Sequence, residues 1–279
     1  MIIMIKINGE EIKVSYFPDK TMAVRYEPAI NPDYIGNIDV DRCQFEDSDF
    51  VIEWYYENDE EMVRLYYLVS HLRQAAGVKD IILYLPYIPN ARMDRVKNSD
   101  EIFTLKYFAG FINGLTFKKV IVRDAHSNVS LALIDNVVCE DISPKAKELA
   151  DRLLGENDIV FFPDEGAGKR YSDMFGRRYA FGIKKRDWRT GEIIGLDVAG
   201  DMPEGKFNVL IVDDICSYGG TFYHSALKLK ELGADKIWLY VTHCENNIIN
   251  GKIPDSGLIE KVFTTRSIFN VDSDFVEII

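Results

Sequence analysis

Two stretches of this chain follow one pattern: Leu72–Tyr87 reads LRQAAGVKDIILYLPY and Leu229–His243 reads LKELGADKIWLYVTH. In each, a helix-period stretch runs out at a glycine, Gly77 or Gly233, and a short apolar run follows. Glycine past a helix end adopts the left-handed conformation at little cost, so both stretches read as helix, cap, strand. Phe108–Leu115 before Val120–Val122, and Ala146–Leu154 before Ile159–Phe162, share that logic. Apolar strands alternating with amphipathic helices predict mostly parallel sheets flanked by helices, an α/β architecture. The matching pieces lie far apart, which predicts two similar α/β domains in tandem, residues 1–140 and 141–279. The seam is placed in the acidic, proline-containing stretch Cys139–Pro144. Alternation such as Ile12–Tyr16 predicts antiparallel strands in the less regular first sixty residues.

The chain has 279 residues, 47% of them hydrophobic, with 16 Phe, 15 Tyr and 3 Trp. That content excludes a disordered chain and suffices for large cores. No apolar run approaches the ~18 residues of a membrane helix, and the first ten residues lack the basic start and apolar stretch of a signal peptide. Cys43, Cys139, Cys216 and Cys244 are scattered without metal-type pairing, as in a reducing compartment. A cytoplasmic location is expected. Lys+Arg 33 against Asp+Glu 45 gives 33 − 45 = −12, a balance that repels nucleic-acid phosphate. Neither nucleic acid nor membrane is therefore an expected partner. An anionic small molecule would need local basic groups or a metal.

The strongest local signal is Val209-Leu-Ile-Val-Asp213-Asp214-Ile-Cys-Ser217-Tyr218-Gly219-Gly220-Thr221-Phe222. An apolar strand ends in paired carboxylates, and a Gly-Gly-Thr turn opens a helix. Open α/β sheets bind ligands beyond the carboxyl ends of their strands. Glycines let backbone N–H groups approach a phosphate, and the helix N-terminus favours its charge. The aspartates suit ribose hydroxyls or a magnesium ion beside that phosphate; alone, they would equally serve as helix caps. Rival phosphate motifs fail. Gly168-Lys169 has Pro163 where a Walker loop needs its first glycine and Arg170 where it needs Ser or Thr.

This segment resembles the phosphoribosyl-diphosphate loop of the type I phosphoribosyltransferase fold. The fold is shared by phosphoribosyltransferases and ribose-phosphate diphosphokinases. Tyr84-Leu-Pro-Tyr-Ile-Pro-Asn-Ala-Arg92-Met-Asp94-Arg95 resembles the strand, proline turn and Ala-Arg-x-Asp-Arg run of the diphosphokinases, and Val120-Ile-Val-Arg-Asp124-Ala-His126 their strand ending in Asp-x-His. Thr104-Leu-Lys106 falls where that family has a helix. The resemblance implies that Arg92, Asp94, Arg95 and His126 serve Mg-ATP, His126 also as a magnesium ligand. Phe162-Pro-Asp164-Glu-Gly166 resembles the family's Pro-Asp-x-Gly turn, whose aspartate, here Asp164, faces ribose and metal. Lys184-Lys185-Arg186-Asp187-Trp188-Arg189 occupies the place of the family's flexible catalytic loop, implying catalytic roles for Lys185 and Arg189. A basic run in an acidic protein also suits an anionic visitor. His243, placed after a strand Ile237–Val241, matches a family histidine. Tyr16-Phe17-Pro18-Asp19 resembles the start of the adenine loop, so Phe17 and Asp19 are candidate nucleotide contacts.

Together these resemblances imply two tandem type I phosphoribosyltransferase-like domains, with ATP on the first and ribose phosphate on the second. The expected assembly is a homo-oligomer built from dimers. The implied reaction moves the β,γ-diphosphate of ATP to an anomeric hydroxyl and releases AMP, with magnesium as cofactor. The chain departs from the family at Lys20-Thr21, where Gly-Glu is usual, at Asp187, where an arginine is expected, and at Ser217-Tyr218, where many members have aspartate and threonine. An aromatic Tyr218 makes room for, or stacks on, something larger than a terminal phosphate. Ribose 5-phosphate and ADP-ribose thus both stand as acceptors. Two other readings stay open: a phosphoribosyltransferase joining a base to ribose, and a non-catalytic regulatory or binding subunit.

Overall fold

Runs of four or five apolar residues form the central strands of two sheets, each in its own part of the chain. The computed structural model describes residues 5–26, 50–186 and 193–279, with side chains of 184–186 and 193–194 outside the description. The chain divides into two compact units, Met1–Glu140 and Asp141–Ile279.

The first unit comprises β1 (Ile5–Ile7), β2 (Glu10–Glu11), β3 (Lys13–Tyr16), β4 (Met22–Arg25), β5 (Phe50–Trp54), α1 (Glu60–Gln74), β6 (Ile81–Tyr84), α2 (Thr104–Gly114), β7 (Lys119–Arg123), α3 (Asn128–Leu133) and β8 (Val137–Glu140). Its main sheet runs β2-β1-β5-β6-β7-β8. Strands β5 to β8 are parallel, and β1 and β2 add antiparallel edges. Successive strand residues point to opposite faces. Ile52, Trp54, Leu83, Val120 and Val122 accordingly pack against Leu65 and Leu72 of α1 and Leu105, Phe108 and Ile112 of α2. Val51, Tyr55, Ile82, Tyr84 and Ile121 form a separate buried cluster.

The predicted antiparallel segment is the hairpin β3–β4. The Tyr16 hydroxyl donates to Glu60 Oε1 at 2.8 Å, and Arg64 Nη2 donates to the Tyr16 oxygen at 2.8 Å. These bonds tie the hairpin to α1. Trp54 Nε1 donates to Glu61 Oε2 at 2.9 Å from the same helix, and burial raises the pKa of the Glu61 carboxyl.

The second unit comprises α4 (Ser143–Leu153), β9 (Ile159–Phe162), α5 (Glu165–Phe175), β10 (Tyr179–Arg186), β11 (Ile193–Gly200), β12 (Phe207–Cys216), α6 (Gly220–Glu231), β13 (Ala234–Cys244), a 3₁₀ turn (Asn246–Asn250), α7 (Ile253–Ser256), β14 (Lys261–Thr264) and β15 (Val276–Ile278). Its sheet runs β11-β10-β9-β12-β13-β14-β15, and only β11 is antiparallel to its neighbour. The sheet is wound on both faces. Val160, Phe162, Leu210 and Val212 pack with Ala146 and Leu149 of α4 and Ala167 and Tyr171 of α5. Ile159, Phe161, Val209 and Ile211 pack with Phe222, Ala226 and Leu229 of α6.

Gly77 (φ 71°) and Gly233 (φ 102°) are left-handed, as the cap reading requires. The second-unit strands are longer than their apolar text: β13 continues to Cys244, so His243 is a buried residue within the strand rather than one beyond it.

Candidate functional site

In the second unit, β9 continues through α5 to β10 on one side, while β12 continues through α6 to β13 on the other. Strand order therefore reverses between β9 and β12, the place where an open parallel sheet leaves a crevice at its carboxyl ends. α5 and α6 pack on opposite faces of the sheet, and each begins just past one of these two strands. Two helix N-termini, each favourable to an anion, thus open at the crevice.

Asp164 caps α5, its Oδ1 accepting the Ala167 N–H at 3.1 Å. Asp213 and Asp214 lie within β12 and point to opposite faces, because a strand alternates. Asp213 shares the face of Ile211, under α6, and its Oδ1 accepts the Asp214 N–H at 3.0 Å. Asp214 shares the face of Val212, is only 7% exposed, and pairs with Arg170 Nη1 of α5 at 3.3 Å. Arg170, at this crevice through its pairing with Asp214, appeared in the sequence only as the wrong residue for a Walker loop. Its position in the second turn of the helix that Asp164 caps is the signal that would have found it.

Arg170→Met is expected to lower the unfolding free energy by about 1–2 kcal/mol, measured by urea denaturation. A charge-assisted bond to a carboxylate contributes ~1.5–3 kcal/mol, discounted here because the guanidinium is one-third exposed. Adding Asp214→Asn should recover part of that loss, since it removes the stranded charge. A stability unchanged in Arg170→Met would mean that the pair holds nothing in place.

Between β12 and α6, Ser217, Tyr218 and Gly219 form the predicted phosphate loop. Gly219 is left-handed (φ 77°), and a Cβ there would lie 2.2 Å from Ile253 Cδ1. The Gly219 carbonyl accepts the Tyr223 N–H at 2.9 Å, and Thr221, in the first turn of α6, accepts a bond from Ser225 Oγ at 3.0 Å. Gly220 opens α6, and Tyr218 is 59% exposed. The basic run begins within β10, with a register shift between Lys185 and Arg186 where the strand pairs with β11. The Lys185 side chain and all of Arg189 lie outside the described residues.

In the first unit, the loops after β6 and β7 converge on Asp94. Its Oδ2 accepts the Ser127 hydroxyl at 2.9 Å, and its Oδ1 accepts Arg95 Nε at 3.0 Å. The Ser127 bond, then Arg95 and the positive field of His126, hold the Asp94 carboxyl below its ordinary pKa. Ser127, which also caps α3 by accepting the Val129 N–H, is a second residue that sequence alone did not single out. Arg92 and His126 are exposed, and Arg95 leaves 72% of its side chain open. Below these loops, Arg123 pairs with Glu140 at 2.8 Å and donates to the Tyr84 hydroxyl at 2.6 Å. This buried network links the ends of β6, β7 and β8.

Phe17 and Asp19 sit on the tip of the β3–β4 hairpin. Phe17 is 58% exposed. Asp19 Oδ1 accepts both the N–H and the hydroxyl of Thr21, at 3.0 and 2.6 Å, and those bonds lower its pKa. Lys20 is left-handed (φ 67°), a conformation that costs a side-chain-bearing residue ~1 kcal/mol or more. The backbone thus keeps a turn that suits the glycine usual there, and Thr21 helps to close it.

Among the described residues, no three His, Cys, Asp or Glu side chains converge as a metal cage, and no helix is long and apolar enough to cross a membrane. No protein-family profile matches the chain. A ribose-phosphate pyrophosphokinase from Thermococcus kodakarensis is 30% identical over 244 residues, 84% of this chain and 77% of that protein. Another from Sulfolobus acidocaldarius is 27% identical over 257 residues, covering 88% and 85%. Among solved structures, a phosphoribosylpyrophosphate synthetase from Mycobacterium smegmatis shares the fold, with a TM-score of 0.71 at 16% identity over 96% of this chain and 85% of that one.

Proposed function

The chain belongs to the ribose-phosphate pyrophosphokinase family, and from that premise we propose that it moves the β,γ-diphosphate of ATP to the anomeric hydroxyl of ribose 5-phosphate, or of a ribose whose 5-phosphate is substituted, as in ADP-ribose. The observation that carries this reading is the crevice between β9 and β12, where Asp164, Asp213 and Asp214 stand beside a glycine-built loop at a helix N-terminus.

The anomeric oxygen bonds to the β-phosphorus, the bond from that phosphorus to the α,β-bridging oxygen breaks, and AMP leaves with the bridging oxygen as the hydroxyl proton is released. The protein's task in such a transfer is positioning and charge neutralisation. Arg92, Asp94, Arg95 and His126 are assigned to ATP, with Phe17 and Asp19 toward its adenine. Asp213 and Asp214 are assigned to ribose hydroxyls. Backbone amides from Ser217 to Thr221 cradle the 5-phosphate, and Lys185 and Arg189 are assigned to the transferring group. Magnesium fits this donor set. It is commonly held by one or two carboxylates plus substrate phosphates and water rather than by an all-protein cage. His126 in the first unit would hold magnesium beside ATP, and Asp164 in the second would hold it beside the ribose; when bound it offsets phosphate charge.

Incubation with ATP and magnesium plus ribose 5-phosphate or ADP-ribose should release AMP in an acceptor-dependent manner. Absence of AMP with both acceptors would overturn the reading in favour of a binding subunit. Release of diphosphate from phosphoribosyl diphosphate and a base without ATP would favour a phosphoribosyltransferase. A cytoplasmic homo-oligomer built from dimers goes with the proposal, and sedimentation tests the assembly.

A further inference from the structure

The phosphate loop offers its ligand backbone amides and a helix N-terminus rather than cations. Ser217 to Thr221 carry no positive side chain, two aspartates precede them, and Arg170 is engaged with Asp214. A terminal phosphate monoester bears nearly two negative charges near neutral pH, whereas each phosphate of a diphosphate diester bears one. A backbone cradle serves either phosphate, so what sets the diester apart is its further phosphate, which calls for a cation of its own.

The segment that backs the loop supplies one. A Cβ on Gly251 would lie 2.2 Å from the Tyr218 carbonyl oxygen, and Ile253 Cδ1 lies 2.2 Å from where a Cβ of Gly219 would be. Gly251 and Ile253 are thus pressed against the loop, and Lys252 between them is held beside it. Lys252 is exposed, and its ammonium lies 5.7 Å from the centroid of the Tyr223 ring. Among the described residues it makes no ion pair or hydrogen bond. Tyr218, a large aromatic ring, stands 59% exposed on the neighbouring loop, available for stacking.

We infer that Lys252 and Tyr218 receive the part of the acceptor beyond its 5-phosphate, Lys252 binding a second phosphate and Tyr218 stacking on the group attached to it. The acceptor class is then a nucleoside diphosphate ribose. This inference rests on the phosphate-loop reading above and narrows it.

Calorimetric titration with ADP-ribose and with ribose 5-phosphate, using the wild-type chain and Lys252→Gln, tests it. The wild type should bind ADP-ribose the more tightly, and in Lys252→Gln the ratio of the two affinities should fall about tenfold, as expected for loss of one charge-assisted contact. Lys252→Arg should restore most of it. An unchanged ratio, or a wild type that binds ADP-ribose no more tightly than ribose 5-phosphate, overturns the inference. These binding readouts are independent of turnover, so a failure of the proposed reaction shows separately, as absence of AMP with either acceptor.

Discussion

Replacing Lys185 with alanine is expected to lower AMP formation at saturating ATP and acceptor by about 10²–10³-fold, the effect of removing one preorganised group that stabilises charge in a transition state. KM values should move far less, because such a contact strengthens as the diphosphate transfers rather than when substrates bind. The backbone gives the assignment its physical basis. Lys185 lies on β10, which is bonded to β9, and β9 leads directly to Asp164. The register shift next to Lys185 is the kind of irregularity that re-aims side chains near active sites. Lys185→Arg should retain part of the rate, since it preserves the charge with altered reach. A turnover unchanged in Lys185→Ala, with substrate binding intact, would remove the basic run from the catalytic machinery.

What could be read in advance followed from local chemistry. Ile159–Phe162 and Val209–Val212 are apolar throughout because each strand is covered on both faces, and that text identifies buried parallel strands. Gly77 and Gly233 marked helix ends because only a left-handed residue closes those turns cheaply. Gly219 and Gly220 marked the phosphate loop because glycine lets backbone N–H groups approach an anion, and Gly219 is left-handed in the structure.

What could not be read depended on topology. Asp213 and Asp214 are neighbours in the text, yet strand alternation sends them to opposite faces, so each has different surroundings. The partner of Asp214 is Arg170, 44 positions away, brought to it because β9 and β12 are adjacent in the sheet. The strand order that makes them adjacent is written in no local pattern. Ser127 escaped notice because a serine before a helix reads as a cap; its second bond, to Asp94, exists only because the loops after β6 and β7 meet. The Tyr84–Arg123–Glu140 network likewise joins three separate strands. Each of its members reads, in sequence, as an ordinary strand end.

Alanine at Gly251 is expected to reduce AMP formation at least ~100-fold, with a stability loss of about 1–3 kcal/mol, the usual cost of overpacking. The backbone of Gly251 (φ −83°, ψ −178°) is open to any residue, so the effect is steric rather than conformational. The added methyl would sit 2.2 Å from the Tyr218 carbonyl oxygen and 3.1 Å from that of Ile248. A carbonyl cannot rotate away as a side-chain tip can. The loop must move, carrying with it the Tyr218–Gly219 amides that are to meet the acceptor's phosphate, and displacements near 1 Å can cost ~10²-fold in rate. Gly257→Ala provides the contrast. It is left-handed (φ 63°) with nothing beyond its chain neighbours within 4 Å of an added Cβ, so alanine should cost ~1–2 kcal/mol of strain and leave the rate intact. Denaturation curves and AMP assays on both variants separate the effects. Equal losses of stability with equal, unimpaired rates would show that the segment behind the loop does not position it.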